Sequence, residues 1–537
     1  MSEKSILFVS LGSLGDVLPL LSLAVTVGHT LLPLRISFAT HPNLIDQLGN
    51  FDLPIKVHFI SIGPALLGPI VQKQEKIAQR KAELKDLSKS ALQLSPDMII
   101  FSTFCTEAWH LGETLSIPSI AVTLFPLDTG KDTATDVEQS TNSLKSELQR
   151  HVPELLEELE KELSSKVSWT DVDIWMSRLF SEEHGVFRDQ LNLPPLVFLD
   201  DEEKVCLPSK TPVLLAYDTE LVSKIQPNVI EDETYIFCGV WPCIFADYAA
   251  TMHIANIILH IKPETSAGNI PSEDTLFDLL VSIDVAKNNG KNLVYIGFGS
   301  MDYVDHRLSE PKFIERLISS LNEALAQTNS FGVWLVSKEN KAIYSTYTKL
   351  ALHETPLHIY MYVGSIPHDF LIFTMQYGSE CIVECIEQPS FEECLKQQSL
   401  ITVLKNFGLD ENHTSFRSVI AINHGGAGTV ARFLRLATAQ VVVPFLFDQF
   451  TWAQSLHVSD LAPEPLPAQI LENHIICRYP ISITAALWRL RIIRALSHTQ
   501  SSHYCSVAQE ISVRGMTGLH KAAKFVSNAI MSSTNVK

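Results

Sequence analysis

Asn423-His424-Gly425-Gly426-Ala427-Gly428-Thr429 lies between an apolar segment, Val419-Ile420-Ala421-Ile422, and a helix-compatible one, Val430 to Leu436. A strand that runs through a glycine turn into a helix points free backbone N–H groups and the positive helix end at an anion. Gly425, Gly426 and Gly428 carry no Cβ, so a phosphate can approach the backbone closely. A second apolar run, Gln440 to Phe447, delivers Asp448 and Gln449, a carboxylate beside an amide. That pair suits a hydroxyl-rich ligand. A phosphate site followed by a polyol site describes a nucleotide sugar.

The segments around this turn have to hold it in place. Asn292 to Ile296 reads as a strand that ends in a second glycine turn, Gly297-Phe298-Gly299-Ser300. Phe313 to Ala326 reads as a helix, and Gly332 to Val336 and Leu357 to Tyr362 as strands. The first half has the same rhythm. Ile6 to Ser10, Ile36 to Thr40, Val57 to Ile62, Pro96 to Phe101 and Ser119 to Leu124 are strand candidates. Helices are expected over Val17 to Val27, from His41-Pro42 to Leu48, and over Thr106 to Leu115. Val213 to Ala216 and Tyr235 to Phe237 read as closing strands. Alternating strands and helices argue for parallel α/β sheets, whose ligands lie at the carboxyl ends of the strands. Ser10 to Asp16, Phe101 to Glu107 and Phe125 to Asp128 should gather there in the first half.

The chain has 537 residues, 46% of them hydrophobic, which implies at least two domains. A net charge of −19 argues against a nucleic-acid binder and against a purely electrostatic hold on anionic lipid. Nine cysteines without framework spacing fit a reducing cytoplasm. Mean hydropathy is +0.13, yet no apolar run is long enough to span a bilayer. Leu18 to Val27 is apolar but follows Gly15-Asp16 and contains Pro19, which is a poor match to a signal peptide. Asp132 to Lys166 reads as a solvated, acidic helical excursion. Ile483 to Leu496 reads as a helix packed in the second domain rather than one lying on a membrane.

Six separated pieces occur in one order over nearly the whole chain: Gly12-Ser13-Leu14-Gly15-Asp16-Val17-Leu18-Pro19, Phe38-Ala39-Thr40-His41-Pro42, Gly239-Val240-Trp241-Pro242, Tyr295 to Met301, Pro367-His368-Asp369, and His424 to Thr429 with Asp448-Gln449. Together they resemble the nucleotide-sugar glycosyltransferases of the GT-B fold (families 1 and 28). The resemblance is greatest to the branch acting on sterols, macrolides and glycopeptides. It implies an α/β architecture of two Rossmann-like, doubly wound parallel-sheet domains facing across a cleft. Leu14 stands where the family usually has arginine, Asn423 where it often has histidine, and Phe370 where it often has tryptophan.

The resemblance also implies a reaction: inverting transfer of a hexose, glucose by family preference, from UDP-glucose to a hydroxyl of a lipophilic acceptor such as a sterol, phenol or macrolide. Asp16 matches the family's base, although an aspartate there can also cap the helix behind it. The N–H groups of Gly426, Ala427 and Gly428, with the Thr429 hydroxyl, would take the diphosphate, and Ser300 and His424 would add hydrogen bonds to it. Asp448 and Gln449 would hold the sugar, while Ile366 and His368 would meet the base through their backbone. Leu14, His110 and Asp128 fall on the acceptor side; His110 also fits a helix core, and Asp128 is a candidate auxiliary base. No cofactor beyond the UDP-sugar co-substrate, no metal and no nucleic acid are implied, and membrane contact would be peripheral at most. Cys381, Cys385 and Cys394, amid several glutamates, match no common zinc spacing.

The expected domains are 1–245 for the acceptor, 246–290 as linker and entry segment, and 291–505 for the nucleotide sugar, with a surface insertion at 373–416. A helix at 506–537 should return to the first domain. Two other readings fit parts of the pattern: a sugar-nucleotide epimerase of the same architecture, and a non-catalytic nucleotide-sugar-binding protein.

Overall fold

The computed structural model describes residues 3–30, 33–49, 51–65, 73–126, 187–193, 211–223, 231, 234–241, 248, 251–252, 254–255, 276–338, 340–353, 357–364, 366–397, 400–410, 413–446, 448–472, 480–499 and 501–532. Their contacts form two compact units. The first gathers the described elements up to Trp241 together with the chain from Ile511 onward; the second holds those from Tyr248 to Glu510.

In the first unit the strands are β1 (Lys4–Val9), β2 (Leu34–Thr40), β3 (Val57–Ser61), β4 (Met98–Ser102), β5 (Ser119–Thr123), β6 (Val213–Leu215) and β7 (Tyr235–Phe237). They form one sheet in the order β3-β2-β1-β4-β5-β6-β7, with every pair parallel. Ile6 to Val9 and Met98 to Phe101 are fully buried. Strands covered on both faces read as continuous apolar runs, which is why these were visible in the sequence. The chain leaves β1 to one side for β2, and β4 lies on its other side. The ends of β1 and β4 are therefore a topological switch point, the place where an open parallel sheet leaves a crevice.

The second unit repeats the plan with β8 (Asn292–Gly297), β9 (Ser330–Val336), β10 (Ile359–Val363), β11 (Val419–Asn423) and β12 (Ala439–Val442). The order is β10-β9-β8-β11-β12, again all parallel. Its switch point lies between β8 and β11, so the two glycine turns emerge side by side. Helix Ile481–His498 buries Leu487, Trp488 and Ile492, and its Arg491 Nε donates to the Glu464 carbonyl at 2.9 Å. It is a packed helix. Among the described residues no helix is long and apolar enough to cross a membrane.

Helix Leu276–Asn288, in the stretch expected as linker and entry segment, belongs to the second core through Leu279, Leu280 and Ile283. Residues 373–416, expected as a surface insertion, continue helix His368–Tyr377 into helices Ser379–Ile386, Phe391–Gln397 and Leu400–Asn406. Ile382, Phe391, Leu395, Leu400 and Leu404 join the same core. These helices are two turns long, too short for a 3.6-residue period to stand out, and glutamates on their outer faces dilute the apolar signal. The acidic stretch 132–166 lies outside the described residues.

Candidate functional site

Register brings the two turns of the second unit together. Asn423, the last residue of β11, pairs with Gly297, the last of β8. Beyond Gly297, Gly299 takes φ +56°, and a Cβ there would lie 2.9 Å from His424 Cε1. The imidazole of His424 thus packs on the backbone of the Ser300 turn. Ser300 starts the short helix Met301–Val304 and makes no capping hydrogen bond with its hydroxyl.

Asn423 builds the turn from below. Its Oδ1 accepts from Gly425 N–H at 2.8 Å and its Nδ2 donates to Gln440 Oε1 at 3.0 Å. Gly425 has φ +85°, and a Cβ would lie 2.7 Å from Val442 Cγ1, so only glycine fits here. Gly426 is then the N-cap of helix Ala427–Arg435 and has no side chain to cap it. The first N–H groups of a helix have no partner inside it. At Gly428 a Cβ would meet nothing within 4 Å, so the first turn opens onto free space. This is an anion site made of backbone, with the helix dipole behind it.

His424 lies against this opening, 8% exposed, and its Nδ1 has no hydrogen-bond partner among the described residues. Burial pushes its pKa down to about 4, so the ring is neutral near pH 7. His368, the first residue of helix His368–Tyr377, is also driven down, to about 3, by burial first and then by Arg432 and His424. Arg432, from the helix behind the turn, pairs with Asp369 at 3.3 Å. Ile366 is buried beside them, 4% exposed.

Asp448 sits at the N-cap of helix Gln449–Val458, and its Oδ2 accepts from Trp452 Nε1 at 3.2 Å. Gln449 is held on its oxygen side. Its Oε1 accepts from the N–H groups of Phe445 and Leu446, at 2.8 and 3.0 Å, and its Nε2 faces Met301 Sδ at 3.5 Å. The carbonyl therefore holds the loop that follows β12, which leaves the amide N–H as its group for a hydroxyl. Among the described residues no group of three or more His, Cys, Asp or Glu side chains is arranged to hold a metal ion.

In the first unit, β1 runs into a loop where Gly12 has φ +121°. Leu14 then opens helix Leu14–Thr30, with Asp16 in its first turn. Asp16 Oδ2 accepts from Ser13 N–H at 2.7 Å and Ser13 Oγ at 2.9 Å. A Cβ on Gly12 would lie 2.5 Å from that oxygen, so the glycine makes room for the carboxylate. Burial raises the Asp16 pKa above its ordinary 3.8, against the hydrogen bonds from Ser13. Asp16 caps its helix and is also a carboxylate of raised basicity at the switch point. His110 is fully buried, with Nδ1 at 2.9 Å from Arg188 Nη1, and Arg188 also pairs with Glu113. That is a core histidine held by an ion pair. Asp128 lies outside the described residues.

One cluster at this edge was not anticipated. Arg80 donates to both oxygens of Glu107, at 2.9 and 2.6 Å, and to Glu83 at 3.2 Å. His41 Nε2 lies 3.9 Å from Glu83, and Leu11 N–H points at Cys105 Sγ at 3.3 Å. Arg80 and Glu83 belong to helix Lys73–Leu94, which lacks an apolar stripe and so gave no periodic signal. The i, i+3 charge spacing of Arg80 and Glu83 was the one trace of it in the sequence.

Comparison with known proteins follows the same division between fold and chemistry. No family model matches the chain. A sterol 3-beta-glucosyltransferase of Arabidopsis thaliana, UGT80A2, is 23% identical over 185 residues, which is 34% of this chain and 20% of that protein. A second from the same plant, UGT80B1, is 41% identical over 46 residues, 9% of this chain and 8% of that protein. The chain thus spans a fifth or less of these curated relatives. A solved UDP-glucose:anthocyanidin 3-O-glucosyltransferase in complex with UDP superposes with TM-score 0.54 at 14% identity, over 99% of each chain. Likenesses at that identity concern the fold.

Proposed function

From a chain with the GT-B fold, similar over short stretches to sterol glucosyltransferases, we propose an inverting, metal-independent UDP-glycosyltransferase. It moves a hexose, glucose in our reading, from UDP-glucose to a hydroxyl of a lipophilic small molecule such as a sterol, phenol or macrolide. The observation that carries this is the open first turn at Gly426, Ala427 and Gly428, with the His424 imidazole beside it, its Nε2 edge against Gly426. A departing UDP needs its growing charge met by donors already in place. Backbone N–H groups held by the turn and the helix, with a neutral imidazole beside them, are donors fixed in place before the charge develops.

The rest of the second unit supplies orientation. Ser300 adds a hydroxyl to the phosphates, Ile366 and His368 border the base, and Asp448 with the Gln449 amide takes sugar hydroxyls. In the first unit Asp16 removes the acceptor's proton as the oxygen attacks the anomeric carbon. Its raised pKa makes it a stronger base than an ordinary aspartate. One direct displacement with a base and no protein nucleophile inverts the anomeric centre.

The test is incubation with UDP-glucose and a panel of sterols, phenols and macrolides, read by mass spectrometry for a hexose adduct, with UDP binding followed by calorimetry. An adduct in the wild type is expected, with UDP affinity reduced in His424→Ala. Absence of binding by any nucleotide sugar would sink the proposal. Saturable binding without an adduct from any acceptor class would instead favour the non-catalytic binding protein.

A further inference from the structure

Tyr295 lies in β8 and reaches across to the start of helix His368–Tyr377. It is 1% exposed, and its hydroxyl lies 2.7 Å from His368 Nδ1. The two rings meet edge-on at 5.4 Å. Phe433, on the helix behind the phosphate turn, closes on both, 5.1 Å from Tyr295 and 5.9 Å from His368. His368 is also close enough to His424 for the two rings to act on each other, so it stands near the phosphate turn as well as beside β8. Gly297 makes this possible, because a Cβ there would overlap the Tyr295 hydroxyl.

A buried phenol has one proton to place. Tyr295 Oη has no other hydrogen-bond partner among the described residues. If it accepted from His368 Nδ1–H, its own proton would be left without an acceptor. With the tyrosine donating, both groups are satisfied. Nδ1 is then the acceptor, and the ring proton sits on Nε2.

We propose that Tyr295 is a positioning residue for the donor: its hydroxyl fixes His368 as the Nε2–H tautomer, so that the ring offers an N–H, not a bare nitrogen, to the oxygens of a nucleoside diphosphate. This rests on the donor reading above and adds a side-chain role for His368 to its backbone one. Burial keeps the ring uncharged, so the tautomer is the variable that matters.

The experiment uses the full chain with histidine-selective 15N labelling, His368→Gln to assign the resonance, and UDP as the ligand. The wild type should show the Nε2–H tautomer, and Tyr295→Phe should lose it. UDP affinity should fall about five- to tenfold in Tyr295→Phe, the worth of one hydrogen bond. Donor KM should rise with kcat at saturating donor little changed. In a His368→Ala background Tyr295→Phe should cost nothing further, because its effect passes through the histidine. An unchanged tautomer, or an equal UDP loss in both backgrounds, overturns the proposal while leaving the donor site intact. A wild type that does not bind UDP overturns the donor reading itself. If Tyr295→Phe fails to fold, His368→Gln carries the test: its amide nitrogen stands where Nε2 stood and should keep the affinity that His368→Ala loses. Equal loss in both overturns the proposal.

Discussion

A carboxylate in the first turn of a helix can hold backbone or take a proton, and the geometry of Asp16 serves both. Two variants separate the roles. Asp16→Asn keeps an oxygen for Ser13 N–H, so thermal stability should change little, yet turnover should fall by about 10²–10⁴-fold. Asp16→Ala loses the cap as well and should cost a further ~1 kcal/mol of stability. In the proposed reaction the base is the ionised carboxylate, so the rate should fall as the pH drops through the raised pKa of Asp16, and this acid limb should be absent from the residual activity of Asp16→Asn. A large loss of stability in Asp16→Asn with normal turnover per folded molecule would make Asp16 a cap alone. Gln449 shows what residue type leaves out. An amide beside an aspartate suggested sugar contacts, but nothing in the sequence says that its carbonyl is committed to Phe445 and Leu446.

The three glycines at the start of helix Ala427–Arg435 do different jobs. Gly425 and Gly426 shape the turn, whereas Gly428 already has helical neighbours and open space where a Cβ would stand. Gly428→Ala should therefore fold normally and gain about 0.5–1 kcal/mol from helix propensity. UDP affinity should fall, because the new methyl fills the approach to the N–H groups. Calorimetry beside thermal unfolding reads both; unchanged UDP binding would remove the phosphate from this turn. At this scale the sequence was most legible where burial is two-sided or the turn chemistry is glycine. The inner strands and the turn 423–429 were readable for that reason. The helix Lys73–Leu94 was not, since its core contact runs through Glu83 and Leu87 between charged positions. The Arg80, Glu83, Glu107 and His41 cluster stayed hidden with it, because its members come from three separate elements.

The last helix, Ser502–Ser532, is continuous, yet its residues up to Glu510 count with the second unit and those from Ile511 with the first. Within the first unit its anchor is Gly518, where a Cβ would overlap the carbonyl of Cys238, the group that accepts from the Trp241 indole at 3.1 Å. Arg514 pairs with Asp218 at 3.0 Å and Lys521 with Glu231 on either side. In an ordinary helix Gly→Ala stabilises. Here Gly518→Ala should destabilise by about 1–3 kcal/mol, because the methyl has no space. Thermal unfolding gives the sign, and a gain in stability would remove the close approach.

That anchor also sets an order of manufacture. A ribosome releases the first sheet early, but the strip around Cys238 to Trp241 lacks its Gly518 contact until that residue emerges, after the second unit has been translated. The first unit is therefore begun before the second and completed after it, and a nascent chain must keep that strip from sticking elsewhere in the interval.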